Sequence, residues 1–330
     1  MMNVRRWKLW LLTAALLLSL CACGPKPPAP APTPDPDPAP PPVEDPLPEE
    51  PPIPDPVGFL RLEYPEMPVL RSQEQVAAYM MASILRGDLD MEFYVDRELG
   101  DDWDTYFVLD NAQESTKTYN LFGAYEIEYM RTEDRGDEEG LYGRFHITYP
   151  HQDYDDEARA AAWAWVRDNP PPKGGFTDFE TEKAYALAIH DYLACKVTYD
   201  PRGDDQDFMD ETYDYEAFQE AYNVLGKDQH TAVCAGYSRA FALIAQYAGI
   251  NAAWVRGNYE EDGGSHAWNV IYPCDGSEPV LVDVTWDDSD LLDSAGAPVF
   301  SYDYFYCPLS EDTEHRMLDH IEDFLTWLHS

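Results

Sequence analysis

Three residues of the chain have the types that cysteine catalysis requires, and they occur in the order Cys, His, Asp. Cys234 stands in AVCAGYSRAF, His266 in GGSHAWNV and Asp283 in LVDVTW, 32 and 17 residues apart. A thiol becomes an effective nucleophile when a base takes its proton and a third group orients that base. The three residues could supply these roles if the intervening chain folds back on itself.

The segment that follows the cysteine has the pattern of an α-helix. Its apolar residues recur at intervals of 4, 3 and 4, which is one stripe of a helix: Tyr237, Phe241, Ile244 and Ala248. Gly249 follows, where a left-handed residue often ends a helix. Cys234 is therefore predicted at a helix N-terminus, whose free N–H groups and partial positive charge stabilise a thiolate and a developing oxyanion.

The histidine and the aspartate are predicted on two neighbouring strands. Residues 266–272 and 280–285 are rich in β-branched and aromatic side chains, and Asp275-Gly276 between them is a strong turn signal. A hairpin would bring Asp283 within reach of His266, and a carboxylate in an apolar run usually needs such a partner. Taken singly, each residue has another interpretation: a cysteine can be a small buried side chain, and an aspartate can cap a turn.

Five blocks of the sequence together resemble the transglutaminase-like domain of the papain-like cysteine superfamily, over about residues 177–307. They are KAYALAIHDYLACKVTYD, AVCAGYSRAFALIAQYAGI, SHAWNVIY, LVDVTWDD and YDYFYCPLSEDTEHR. The resemblance implies an α+β core in which the cysteine opens a helix packed on an antiparallel sheet that carries the histidine and the aspartate. It further implies that Cys234 is the nucleophile, His266 the general base and then acid, and Asp283 the orienting carboxylate.

Family members include transglutaminases, cysteine peptidases, amidases and inactive proteins. Val233 stands where animal transglutaminases carry Gln before the nucleophile, a departure that weakens the similarity to the animal cross-linking enzymes but leaves the triad intact. The expected activity is acyl transfer or hydrolysis at peptide or carboxamide bonds through a thioester, with no cofactor. The alternative is an inactive module that binds cell-envelope peptides or glycans.

Residues 1–22 have the pattern of a bacterial lipoprotein signal peptide. A basic start is followed by an apolar run too short to span a bilayer, and the run ends in Leu20-Cys-Ala-Cys23-Gly24. This resembles a lipobox whose lipidated residue is Cys23, whereas Cys21 fits less well because Leu20 would precede it. The alternative is an ordinary secretion signal. We therefore expect an extracytoplasmic protein anchored to the cell membrane by its N-terminal lipid.

The remaining chain is predicted to contain a tether and two domains. Residues 23–57 include Cys23 and a Pro-rich stretch, 25–57, that holds 17 of the chain's 28 prolines, a composition typical of a disordered, extended spacer. Residues 58–153 are predicted to form a small α+β domain. Its signals are a capping box, Ser72–Gln75, and alternating strands at 125–129 and 142–149. Residues 154–330 are predicted as the catalytic domain, with helices over 155–169 and from Thr177.

The formal net charge of −41 argues against nucleic acid as a partner, because phosphates require the opposite sign. It favours a cationic partner, a Lys-bearing substrate or loosely bound divalent cations. The expected partner is a protein or peptide substrate, such as a cell-envelope peptide. No Cys/His spacing suggests zinc, and no acidic cluster has the pattern of a calcium loop, so no metal site is predicted. Tyr237 and Trp268, three or fewer residues from a proposed catalytic group, are the candidates for lining a substrate cleft.

Overall fold

The computed structural model describes residues 53–54, 67–85, 88, 90–99, 126–148, 152–200, 202, 217–226, 230–259, 264–292 and 298–329. All of these residues fall within one compact unit, residues 51–330. The predicted signal peptide, Cys21, Cys23 and nearly all of the predicted tether lie outside the described residues. None of the helices in the described ranges is long and apolar enough to cross a membrane.

Helices and antiparallel sheets are both present in the described residues, as the α+β prediction required. The helices are α1 (Gln73–Leu85), α2 (Gln152–Asp168), α3 (Phe179–Lys196), α4 (Ala221–Leu225), α5 (Cys234–Ala248), α6 (Val284–Asp287) and α7 (Asp319–Leu328), with 3-10 turns at Ala217–Gln219 and Leu309–Glu311. The helix predicted over 155–169 is thus observed over 152–168. The helix expected from Thr177 begins two residues later, because the Asp178 side chain accepts the backbone N–H of Thr181 and caps it.

The strands of the described residues form two larger sheets and two short pairs. The strands are β1 (Val69–Leu70), β2 (Asp90–Val95), β3 (Glu126–Glu133), β4 (Leu141–Thr148), β5 (Thr198–Tyr199), β6 (Thr231–Ala232), β7 (Ala252–Tyr259), β8 (Ser265–Ile271), β9 (Val280–Val282), β10 (Asp288–Leu292), β11 (Pro298–Phe300), β12 (Phe305–Pro308) and β13 (His315–Met317). The larger sheets have the orders β1-β2-β4-β3 and β12-β9-β8-β7-β13, and the pairs are β5-β6 and β10-β11.

Helix α5 lies at the centre of the fold. Every residue from Ala235 to Ala248 is buried, which a single apolar stripe would not predict. The reason is that this helix is contacted by three helices, α2, α3 and α4, and by two strands, β7 and β8. Gly249 ends it with a φ of 88°, the left-handed conformation predicted from the sequence.

The five-stranded sheet determines which residues of distant segments become neighbours. Strands β7, β8 and β9 run antiparallel, and Gly257 pairs with His266 while Asn269 pairs with Val282. The edge strand β13 pairs with β7 through Tyr259 and His315. Residues just past the end of β9 and residues of β13 therefore both approach the end of β8 that carries His266.

The N-terminal sheet shares an apolar core with the five-stranded sheet. Phe93 and Phe145 stack at 5.1 Å between ring centroids, and they belong to the same buried cluster as Val255 and Val270. The strands predicted at 125–129 and 142–149 are observed over 126–133 and 141–148. The predicted division into domains at residue 154 stays a prediction.

Candidate active site

Cys234 is the first residue of α5, as the sequence predicted. Val233 before it is extended, and no side chain caps the helix there. The first N–H groups of a helix have no partner within the helix, so they point their positive dipole ends toward the cysteine side. Cys234 is partly exposed while the rest of α5 is buried. The thiol is thus the accessible end of a buried helix.

Gly236, in the first turn of α5, packs closely against the segment that precedes the helix. A Cβ atom at this position would lie 2.7 Å from the Cβ of Ala232 and 2.8 Å from the carbonyl oxygen of Phe218. Both distances are shorter than the closest approach that a Cβ atom makes to another heavy atom in proteins. Glycine therefore allows the first turn of α5 to approach the segment before it. This close packing fixes the helix end that carries Cys234.

His266 lies on β8 with 6% of its surface exposed, and its Nε2 atom is 2.6 Å from Oδ2 of Asp283. The Cys234 side chain lies close enough to the ring to raise the pKa of His266. Trp286 stacks on the ring at 4.8 Å with an interplanar angle of 15°. The imidazole therefore bonds a carboxylate, stacks on an indole and has a thiol nearby.

Asp283 uses both carboxylate oxygens. Oδ2 faces His266, and Oδ1 accepts the backbone N–H groups of Thr285 at 2.9 Å and Trp286 at 3.2 Å, which caps the short helix α6. The strand predicted over 280–285 consequently ends at Val282, since the aspartate starts a helical turn. Both interpretations of Asp283, turn cap and partner of the histidine, hold at once.

A second histidine contacts the same carboxylate. His315, on β13, places Nε2 3.2 Å from Oδ2 of Asp283 and Nδ1 3.2 Å from Oδ1 of Asp312. His315 lies in the last of the five blocks that resemble the transglutaminase-like domain, and no role was predicted for it from the sequence. No spacing rule could have found it, because only the pairing of β13 with β7 brings residue 315 to this end of β8.

The local charges act strongly on these groups. Burial alone would lower the pKa of His266, but the hydrogen bonds with Asp283 and Cys234, and their charges, raise it to about 10. Burial would raise the pKa of Asp283, yet its hydrogen bonds to His266 and His315 hold it below its ordinary value. An ionised Asp283 facing protonated imidazole is thus the favoured state at neutral pH.

The grouping of His266, Asp283 and His315 raises the question of a metal site, which the sequence did not predict. One ligand atom from each lies within 4.8 Å of the others. Two ligands of a tetrahedral zinc ion stand roughly 3.3 Å apart, given metal–ligand bonds of about 2.0–2.1 Å. The 2.6 Å contact between His266 and Asp283 is instead that of a charge-assisted hydrogen bond. Hydrogen bonding accounts for this cluster.

Tyr237 and Trp268, the candidates for lining a substrate cleft, are both buried. They are 0% and 1% exposed. The Tyr237 hydroxyl donates to Asp288, and the Trp268 ring packs beside His266 at 6.0 Å. The aromatic residues that are accessible next to His266 are Trp286 and Tyr259, whose rings meet edge to face at 5.9 Å. Proximity in sequence to a proposed catalytic residue did not indicate exposure, because β8 is buried on both faces from His266 to Ile271 and α5 is buried from Ala235 to Ala248.

The other three described cysteines have less favourable surroundings for a thiolate. All four described cysteines are free. Burial and nearby carboxylates raise the pKa of Cys195 and of Cys307, and burial with a hydrogen bond to Glu182 raises that of Cys274 to about 12. Among the described thiols, only Cys234 combines a helix N-terminus with an imidazole.

Comparison with known proteins gives a family match over the middle of the chain. Residues 175–284, which include Cys234, His266 and Asp283, match the sequence profile of the Transglutaminase-like superfamily. A comparison with curated proteins gives no match.

Two solved structures illustrate the structural similarity. A TGase is 13% identical with a TM-score of 0.34, over 79% of this chain and 72% of that one. The periplasmic domain of TgpA from Pseudomonas aeruginosa, bound to ethylmercury, is 16% identical with a TM-score of 0.20, over 50% of this chain and 66% of that one. At such TM-scores neither similarity bears on function. The family match therefore identifies residues 175–284 of this chain as a transglutaminase-like domain.

Proposed function

We propose that this chain is an extracytoplasmic, lipid-anchored cysteine enzyme that transfers or hydrolyses acyl groups through a thioester on Cys234. The observation that carries the proposal is the grouping of three side chains: Cys234 at the start of α5 lies close enough to His266 to raise its pKa, and Nε2 of His266 is 2.6 Å from the Asp283 carboxylate. A nucleophile, a base and an orienting group in this order are what covalent acyl transfer needs. The extracytoplasmic address rests on the lipobox pattern at Cys23.

The first half of the reaction forms the thioester. The thiolate of Cys234 attacks the carbonyl carbon of a peptide or carboxamide, and the backbone N–H of Cys234 stabilises the resulting oxyanion. His266, with a pKa of about 10, is protonated at neutral pH and gives its proton to the leaving amine. The C–N bond breaks, the S–C bond remains, and the amine departs.

The second half releases the acyl group. Water or an amine attacks the thioester, His266 takes the proton of the attacking group, and Cys234 leaves as a thiolate beside the newly formed imidazolium. Asp283 stays ionised and holds the ring throughout. Attack by water gives a peptidase or amidase, whereas attack by an amine gives a cross-linking enzyme.

The choice between these acceptors can be measured directly. In the first assay, the purified protein would be incubated with a glutamine-containing protein and a fluorescent primary amine, and incorporation of the amine would be measured. In the second assay, it would be incubated with cell-envelope peptides, and released amine and newly formed carboxylates would be measured. We expect one of the two products, and its loss in Cys234→Ala. The matched control is Cys307→Ala, which removes another described free thiol. If neither product forms and the peptides or glycans nevertheless bind, the inactive binding module is the better description.

Thiol reactivity tests the nucleophile without a substrate. Iodoacetamide reacts with the thiolate, so Cys234 should be alkylated first at neutral pH, and mass spectrometry of digested peptides would show it. The pKa values of Cys195, Cys274 and Cys307 are raised, so these residues should react more slowly. Faster alkylation of any of these three would contradict the assignment.

A further inference from the structure

His315 is buried between two acceptors that cannot donate. It is 8% exposed, and each ring nitrogen lies 3.2 Å from a carboxylate oxygen, one of Asp283 and one of Asp312. An ionised carboxylate only accepts hydrogen bonds, so both contacts are satisfied together only when both ring nitrogens carry hydrogen. The surroundings therefore favour the imidazolium form of His315.

The groups that face the His315 ring come from several elements. The titratable ones are Asp283 at the end of β9, Asp312 before β13, His266 on β8 at 5.7 Å between rings, and Tyr304 before β12 at 5.7 Å. The Tyr304 hydroxyl donates to Glu314. The remaining ring neighbours carry no charge: Trp286 at 4.5 Å and Trp268 at 4.8 Å.

We propose that His315 is a positioning residue that keeps a positive charge behind the Asp283 carboxylate and so sets the pH range over which the Cys234–His266 ion pair exists. The inference deepens the proposed function and rests on it for the roles of Cys234 and His266. His315 acts through Asp283, since both histidines contact the same oxygen, Oδ2, at 2.6 and 3.2 Å.

The consequence of this charge has a definite sign. A cation beside Asp283 offsets part of the carboxylate's negative charge, so His266 and Cys234 sense a less negative site. Without the cation, the Cys234 thiolate is less stabilised and the His266 imidazolium is more stabilised. Deprotonation of Cys234 and deprotonation of His266 should therefore both move to higher pH. For unit charges 5.7 Å apart at an effective dielectric constant of about 20, the His266 transition should move by roughly one to two pH units. The more distant thiol should move by less.

The test compares the full-length protein with His315→Gln. Gln is neutral and can still donate one hydrogen bond to a carboxylate. The readout is the rate of Cys234 alkylation by iodoacetamide from pH 4 to 10, with the modified residue identified by mass spectrometry. We expect the midpoint of thiolate formation to rise by about half a pH unit or more. A purely structural role would lower thermal stability and leave the midpoint unchanged.

His190→Gln is the matched control. His190 is also buried, and its two ring nitrogens contact other carboxylates than Asp283: Nδ1 is 3.1 Å from Asp191 and Nε2 is 3.2 Å from Asp287. This variant loses a histidine of the same kind, so its folding cost should be similar while the Cys234 midpoint stays in place. An equal shift in both variants would overturn the proposal.

Asp312→Asn provides a second variant in case His315→Gln does not fold. The amide keeps an oxygen for the backbone N–H groups that Asp312 now accepts, but it removes one of the two anions that stabilise the His315 cation. The midpoint should move in the same direction by a smaller amount. An unchanged midpoint in either folded variant refutes the inference even if acyl transfer is observed. A shifted midpoint without any acyl transfer supports the role of His315 and counts against the proposed reaction.

Discussion

Replacement of Asp283 by asparagine tests the electrostatic argument for the site. The carboxylate is 1% exposed and faces two imidazoles through Oδ2, while Oδ1 caps the turn that carries Trp286. Asparagine keeps an oxygen for the cap and removes the charge, so the turn should survive. The expected loss is in the protonation of His266 and in the orientation of its ring.

The size of the effect follows from the His266 pKa. A histidine raised from 6.5 to about 10 stabilises the fold fully below pH 6.5, and this contribution disappears as the pH rises through 10. At 1.36 kcal/mol per pH unit it amounts to at most about 5 kcal/mol. The hydrogen bond with Asp283 is the largest of the raising causes, and burial opposes it. In Asp283→Asn most of the pH-dependent stabilisation should therefore be absent.

The assay is urea unfolding of wild type and Asp283→Asn at pH 6.5, 8 and 10. The difference in unfolding free energy between the two proteins should shrink by several kcal/mol over this range. Asp287→Asn serves as control, because Asp287 is a buried carboxylate that contacts His190 and not His266. In parallel, kcat/KM should fall by roughly a thousandfold or more, the scale expected when a triad carboxylate is lost. A difference that stays constant from pH 6.5 to 10 would refute the reasoning.

Three further predictions concern other parts of the chain. Gly236→Ala places a methyl group 2.7 Å from a side-chain carbon and 2.8 Å from a carbonyl oxygen, so the unfolding free energy should fall by about 1–3 kcal/mol. The rate of Cys234 alkylation should change as well, and a variant with unchanged stability and alkylation would contradict the packing argument. Cys23→Ser should abolish membrane association in cell fractionation while Cys21→Ser leaves it intact, and equal effects would overturn the lipobox assignment. Trp286→Ala should lower kcat/KM by removing the indole stacked on His266, whereas Trp286→Phe should retain much of the activity; equal loss would argue against stacking.

The parts of the site with local signals were predictable. The start of α5 at Cys234 and its end at Gly249 follow from apolar spacing and a left-handed cap, which depend on a few neighbouring residues. The α+β class was predicted and is confirmed by the family match and the observed elements. The catalytic roles of Cys234, His266 and Asp283 stay predictions that the experiments above address.

The other features of the site depend on contacts between residues far apart in sequence, so they could not be predicted from neighbouring residues. The end of β9 at Val282 depends on whether the Asp283 side chain bonds a strand partner or caps a turn, and here it does both. The contact of His315 with Asp283 requires the pairing of β13 with β7, across more than 50 residues of sequence between their paired ends. The burial of Tyr237 similarly reflects packing around α5 that no single stripe of residues specifies.

The burial of α5 on all sides has a consequence for hydrogen exchange. Its amides after the first turn are bonded within a helix that solvent reaches on no face, so they should exchange only in openings close to global unfolding. The first N–H groups lack a partner within the helix and should exchange quickly. Cys234, the first residue of α5, therefore lies among its fastest exchanging amides and one turn away from its slowest. A thiol in that position can meet a substrate while the backbone behind it stays fixed.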